Sequence, residues 1–546
     1  MKKNLFNLVL VAVASLALVS CNNAQKMIDA ADQIGFVCTP EVLEVVAGNI
    51  DATVAVTFPA EYFLPKAVLE VTPVIVYEGG EVAGTPFVYQ GSKVTENYKT
   101  VTKAGATIQE KVHFAYVSGM EKSQLVARAK VIMKGKEYAF PKDLKIADGA
   151  NTTYMLVEKD GCLPLHPSNY QPIIPETAEA QIMYLINSAT VRNTELKGQS
   201  VKNFQEALKA LESDERREVK GTEIVAYASP DGAESLNEKL SANREKSASK
   251  AFGTVTKKLN AGEVSTKSIG EDWEGFQELV NASDIEDKAL ILRVLSMYSD
   301  PTVREREIKN MSAVYSSLAK NVLPQLRRAR FITNVEFTNY TADELADLIQ
   351  NNIDVLDEPA LLEAAKNAKD NSVKLNVYKQ AIKKFNSNGA KINSAIVYLN
   401  EGKVADAKAA IATADAKCPY TQNVLGVIAL RGGNLSEAAK CFAAAGEIGQ
   451  ANAAVVDILN GKYNDAAKKL AGKGGCNEAL AYILTNQLDK ASKAIKGTCP
   501  KCAYKKAIIA ARQGKVAEAK AAIEAASKNA DLKARAEKDV EFIKVK

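Results

Sequence analysis

The chain has 546 residues, with 70 Lys plus Arg against 65 Asp plus Glu and two histidines. That length allows three or four ordinary cores, and the near-balanced charge argues against a polyanionic partner such as nucleic acid. His113 and His166 stand apart from each other and from any cysteine pair. No phosphate loop, HExxH or GxSxG motif occurs, so the chain reads as non-enzymatic, with no metal and no cofactor.

The first element is a signal segment over residues 1–20. Lys2 and Lys3 precede an apolar run from Leu5 to Val19 that is too short to span a bilayer as a mature helix. It ends in Leu18-Val19-Ser20-Cys21, which resembles a lipobox. That resemblance implies cleavage before Cys21 and acylation of its thiol and amine, and several acyl chains on one residue anchor a protein stably. Residues 21–35 form the tether. Asn22 to Lys26 carry no acidic cluster of the kind that directs Bacteroidota lipoproteins to the surface. The resemblance therefore implies an outer-membrane lipoprotein facing the periplasm.

Residues 36–162 have a β texture. Thr53–Phe58 and Leu125–Val131 alternate in polarity, and turns are signalled at Gly79-Gly80, Lys134–Lys136 and Asp148-Gly149. Several short strands punctuated in this way predict a β-sandwich of immunoglobulin-like type. Cys38 and Cys162 flank it and could close it with a disulfide. Residues 163–175, rich in proline, read as an extended linker.

The next region carries the most chemistry. Residues 223–232 (EIVAYASPDG) run as a short strand into a turn, and a helix follows. At 100° per residue from Leu236, an inward half holds Leu240, Ala248, Ala251, Phe252, Val255 and Leu259. Asn237, Ser241 and Arg244 share that half. An inward guanidinium needs an anion, either an internal carboxylate or that of a ligand.

At Gly232, Asn237, Leu240, Ser241 and Arg244 the chain resembles the OmpA-like peptidoglycan-binding domain, whose signature places Asn, Leu-Ser and Arg on the helix after an Asp-containing turn. The position of the family's ligand-binding Asp, eight residues before Asn237, is held by Ser229. The resemblance covers residues 176–340. It implies a first strand at Ala180–Asn187, a helix over Val201–Leu211, a third-strand region at Ser268–Phe276 and a closing strand at Arg327–Phe337. It also implies that Arg244 receives the stem-peptide carboxylate, that Asn237 and Ser241 order the turn, and that Ser229, Asp231 or both meet the ammonium end.

From 341 to 546 the chain is helical and repeats. Turns led by Gly402, Gly433, Gly461 and Gly514, with Asn486 filling the gap, recur at spacings of 31, 28, 25 and 28 residues. Units of this kind bury their apolar faces by stacking. The pattern resembles degenerate tetratricopeptide repeats, and small residues at Ala407, Ala438, Ala466 and Ala519 fit close helix packing. Such a solenoid implies a surface for a protein partner. Cys499-Pro-Lys-Cys502 has the spacing of a redox pair, but Cys418-Pro and Cys499-Pro each precede a turn glycine by 15 residues. The pair is therefore read as repeat packing or a local disulfide.

The expected whole is multi-domain α+β: a β-sandwich, an OmpA-like α/β sandwich and an all-α helical-repeat solenoid. Its expected function is to tether or scaffold, held to the outer membrane by lipid, engaging peptidoglycan centrally and an envelope protein through the repeats. The alternative is a structural subunit of an envelope assembly or export complex that binds no peptidoglycan, Ser229 having replaced the ligand Asp.

Overall fold

The structure of the protein, a computed structural model, describes residues 24–285 and 287–545. Cys21 and the signal segment lie outside the described residues. The chain divides into two compact units: one holds the chain up to His166 together with everything from Asn386 onward, and the other spans Pro167–Phe385.

The first unit begins with a curled sheet. Its strands are β1 (Gly35–Thr39), β2 (Val42–Val46), β3 (Asn49–Phe58), β4 (Val68–Tyr77), β5 (Gly80–Ala83), β6 (Phe87–Gly91), β7 (Lys99–Val101), β8 (Ala106–Ala115), β9 (Ser123–Met133), β10 (Lys136–Ala139) and β11 (Leu144–Asn151). They run in the order β1-β3-β2-β11-β9-β4-β6-β7, with β8 on β3, β5 on β4 and β10 on β9. Short β2 pairs antiparallel with β3 through Val45 and Val46, and parallel with β11 through Val42 and Glu44. It thus hinges two halves whose inner faces meet, and the alternating residues Val54, Val56 and Phe58 of β3 face the same core as Leu69, Leu125 and Phe114. Phe58 packs against Tyr89 and Phe63 at ring separations of 4.9 and 5.5 Å. Pro73, which has no amide to donate to a ladder, sits inside β4. Its neighbours on one side are β6, ending at Val71, and β5, starting at Val74, so it falls in the gap between them.

The rest of this unit is five helix pairs and a closing helix. The pairs are Asn388–Asn400 with Val404–Ile411, Pro419–Arg431 with Leu435–Ala444, Gln450–Leu459 with Tyr463–Leu470, Cys476–Leu484 with Leu488–Ala494, and Pro500–Arg512 with Val516–Ala526; Ala530–Lys538 follows. Each pair turns through one left-handed residue: Gly402, Gly433, Gly461, Asn486 or Gly514, with φ between 55° and 79°. Glycine and asparagine are the residues that adopt this conformation cheaply. Ala407, Ala438, Ala466, Ala491 and Ala519 are fully buried one turn into the second helix.

Sheet and repeats share one continuous apolar core, where the sequence reading keeps a sandwich and a solenoid as separate domains. The seam also holds a polar lock. Glu541, 6 % exposed at its side chain, pairs with Arg512 and accepts from Asn151 Nδ2 and Thr153 Oγ1, each at 2.8 Å. Burial alone would raise the Glu541 carboxyl, but the Arg512 guanidinium and these donors hold it below its ordinary value. Glu541→Gln is expected to lower unfolding stability by about 3 kcal/mol at neutral pH, as for removing one partner of a buried pair. Because the folded value is depressed, this stabilisation is present above the ordinary glutamate value and is lost as pH falls through the depressed one. The gap between wild-type and variant denaturation midpoints should therefore narrow on acidification.

The second unit is built on four strands, β12 (Ile173–Met183), β13 (Arg217–Ala228), β14 (Val264–Glu271) and β15 (Arg328–Thr338), in the order β12-β15-β13-β14. β15 is antiparallel to both neighbours, while β13 and β14 are parallel. Helices Gln199–Leu211 and Glu234–Val255 cover one face, where Phe204, Phe252 and Phe331 meet over Ile182 and Ile224. Helices Trp273–Ala282, Lys288–Met297, Pro301–Asn310 and Ser312–Asn321 form an insert before β15, with a core of Phe276, Val280, Ile291, Leu295 and Leu318. The region read from sequence as a linker over 163–175 ends inside β12. Helices Ala342–Asn351, Glu358–Asn367 and Asn371–Phe385, assigned from sequence to the repeats, belong to this unit.

Candidate functional site

Three sets of polar residues could carry function, and each is built by its local fold. The first is the turn after β13. Asn237, Ser241 and Arg244 face inward as the helical periodicity predicts and are 5 %, 1 % and 0 % exposed. Leu236, taken as the zero of the helical angle and so at the edge of the inward half, is largely exposed. Asn237 Nδ2 donates to the Ser229 and Gly232 carbonyls and to Glu271 Oε1, fixing the turn. Ser241 Oγ accepts from the Gly270 amide at 3.1 Å, tying the helix to β14.

Among the described residues Arg244 meets no carboxylate. Its Nε donates to the Ser188 carbonyl at 3.0 Å, Nη1 to Tyr227 at 2.8 Å and Nη2 to Leu185 at 3.3 Å. The guanidinium lies over the Tyr184 ring, 5.1 Å from its centroid, and Tyr184 in turn donates to the Arg244 carbonyl. Burial pushes the Arg244 side chain down to about 10, still charged at neutral pH. Asp231 is engaged elsewhere, pairing with Arg327 at 2.9 Å and accepting from Ser229 Oγ at 2.7 Å. The anion expected to meet Arg244 is thus replaced by main-chain carbonyls, and Asp231 is held by Arg327. Ser188 and Leu185 lie in the loop after β12, and sequence periodicity carries no signal for which loop caps the arginine.

The second set lies on the first helices of the repeats. Residues 158–166 run along them, gripped through the main chain. Asn477 Oδ1 accepts from the Glu158 amide and its Nδ2 donates to the Glu158 carbonyl, at 2.8 and 2.9 Å. Asn452 does the same to Cys162 at 2.7 and 2.8 Å, and Asn423 adds a bond to the Cys162 carbonyl at 2.9 Å. Asn393 clamps His166 at 2.8 and 3.2 Å. Arg431 Nε donates to the Asp160 carbonyl at 3.1 Å. Gly161 passes so close to Val427 that a Cβ there would stand 2.7 Å from it, and its φ of +84° also excludes most side chains. The clamped residues, 158, 162 and 166, recur every four positions and together engage four successive repeats. A primary amide is suited to this because it offers one acceptor and two donors to an extended backbone. The region read as a proline-stiffened linker is, up to His166, a strap seated on the repeats.

The strap clamps were missed because asparagines on a helix read as solvated. A signal was present: Asn393, Asn452 and Asn477 each stand nine residues before the left-handed residue of their turn, and Asn423 stands ten before. Lys505, also nine before its glycine, is 1 % exposed and lies 3.6 Å from Glu158.

The third set is the cysteines. All seven in the described region are free thiols. The Cys38–Cys162 disulfide is not formed: Cys38 is buried in β1 opposite Val54, and Cys162 is carried on the strap. Cys499 and Cys502 are likewise unbonded, but they are joined by Cys476.

No protein-family model matches the chain, and no curated protein matches it either. Among solved structures it is similar to a tetratricopeptide repeat protein from Parabacteroides merdae ATCC 43184, at 13 % identity over 36 % of this chain and 90 % of that one, with a TM-score of 0.28. Among the described residues no helix is long and apolar enough to cross a membrane.

Proposed function

We propose that the protein is a non-enzymatic scaffold of the cell envelope, lipid-anchored at Cys21 to the outer membrane and facing the periplasm, whose OmpA-like unit is structural and binds no peptidoglycan. The observation that carries this reading is the sealing of Arg244: a stem-peptide carboxylate needs a reachable guanidinium, and here all three nitrogens already donate to main-chain carbonyls with no exposed surface. The ammonium end would need Asp231, which Arg327 neutralises. A protein partner would meet the second helices and turns of the repeats, since the asparagine-bearing face holds the strap.

The test is co-sedimentation of residues 22–546, which omit Cys21, on purified peptidoglycan sacculi. The protein is expected to stay in the supernatant at all salt concentrations. Saturable retention, competed by free stem peptide, would overturn the reading and restore the wall tether.

A further inference from the structure

Cys476, Cys499 and Cys502 converge although they come from two repeats. Cys476 is the first residue of helix Cys476–Leu484, Cys499 caps helix Pro500–Arg512, and Cys502 lies in that helix's first turn. The Cys476 and Cys502 sulfurs are 3.3 Å apart, those of Cys499 and Cys502 are 3.1 Å apart, and all three lie within 4.8 Å of one another. We propose that these three thiolates bind a single thiophilic d10 metal ion.

Two features support the site beyond proximity. Both helix N-termini present their partial positive charge to the sulfur triangle, which favours thiolate over thiol. Cys499 Sγ accepts from the Cys502 amide at 3.4 Å. Three mutually contacting thiolates repel unless a cation sits among them, and coordination is what deprotonates a buried thiol outright. A disulfide, by contrast, would join two of the sulfurs and leave the third stranded beside them.

The repeat itself shows which part of this is special. Cys418 holds the N-cap position of helix Pro419–Arg431 as Cys499 does that of its own helix, so the Cys-Pro entry is a repeat feature, although only the Cys499 sulfur accepts a capping hydrogen bond. Among the described residues, the only such cluster of three ligands is the one where Cys476 and Cys502 are added to that entry. Soft sulfur donors select Zn²⁺ and Cu(I) over hard cations. Exposed Cys499 leaves a side through which the ion enters and through which a fourth ligand, needed by zinc but not by trigonal copper, can reach it.

The experiment uses the mature chain with Cys21 replaced by serine, purified without chelator, then reduced and titrated anaerobically with Zn²⁺, with Cu(I), or with Co²⁺ as an optical probe. Expected are one ion per chain, proton release on binding, sulfur-to-cobalt charge-transfer absorption, and protection of three thiols from alkylation. Tight binding of Zn²⁺ with tetrahedral cobalt bands assigns a four-coordinate site; Cu(I) binding without zinc binding assigns a three-coordinate one. Cys502→Ser, and equally the surface variant Cys499→Ser that carries no folding risk, should weaken binding by on the order of 100-fold, while Cys38→Ser leaves it unchanged. Absence of stoichiometric uptake by the reduced protein would overturn the site. So would isolation of the chain with a Cys499–Cys502 disulfide that Zn²⁺ cannot replace after reduction.

Discussion

Asn452→Leu is expected to release the strap from the middle of the repeats and lower the stability of the first unit by about 2–5 kcal/mol. Asn452 is 1 % exposed. Its amide satisfies the Cys162 amide and carbonyl and donates to Asn423 Oδ1 at 2.8 Å. Leucine fills nearly the same volume, so little of the loss comes from a cavity. The loss comes from the part-buried Cys162 N–H and the buried Asn423 amide oxygen left without these partners, each costing up to about 1–3 kcal/mol. Amide hydrogen exchange separates this from general loosening. Protection should fall in peptides covering 158–166 by far more than in β4 or β9, which pair along their length on both sides of the sheet centre.

A second substitution at the same position fixes the cause. Asn452→Asp keeps an acceptor for the Cys162 amide but turns a lone pair toward the Cys162 and Asn423 oxygens. It should cost more than leucine at neutral pH and recover part of the loss in acid, as the carboxyl gains a proton to donate. Equal exchange in wild type and both variants would mean that the strap is held by its flanks and not by the asparagine ladder. Gly161→Ala offers an independent handle, since its Cβ would collide with Val427.

These residues show where sequence reading succeeds and where it stops. The turns at Gly402, Gly433, Gly461 and Gly514 were legible because a left-handed residue is a local requirement that leaves a periodic mark. The burial of Asn237, Ser241 and Arg244 was legible from helical periodicity. What each of them touches was not. The carbonyls of Leu185 and Ser188 come from a loop more than fifty residues upstream of Arg244, and no pattern in the helix encodes them. Alternation in β3 and β9 showed that one face is buried but not that it shares its core with helices more than 250 residues further on. The Cys499–Cys502 pair was visible as a motif, whereas Cys476 joins it only through stacking of adjacent repeats. Arg327, which holds Asp231, was read as strand sequence because a strand side chain's partner lies across the sheet edge and not along the chain.

Arg244 gives the sharpest separation between a structural and a wall-binding role. If the guanidinium is a structural strut, Arg244→Ala should destabilise the second unit by about 3–5 kcal/mol, as for the loss of a buried charged group with its hydrogen bonds. Three carbonyls, two from the loop after β12 and one from β13, would be left facing each other without a donor. Arg244→Lys should recover little of this, because an ammonium is a point charge and cannot span the carbonyls of Leu185, Ser188 and Tyr227 as a planar fork does. The chain provides its own reporter: Trp273 is the sole tryptophan, lies in the same unit and donates to Glu271, the acceptor of Asn237. Its fluorescence in a denaturant series should show the midpoint falling for both variants. Ser229→Asp should also lower the midpoint, since it sets a second carboxylate beside Asp231 with Arg327 as the shared cation. A wall-binding site predicts the reverse for all three: stability near wild type, and changes confined to retention on sacculi. The choice follows from where the guanidinium's hydrogen bonds end, on the protein's own carbonyls or at an open surface.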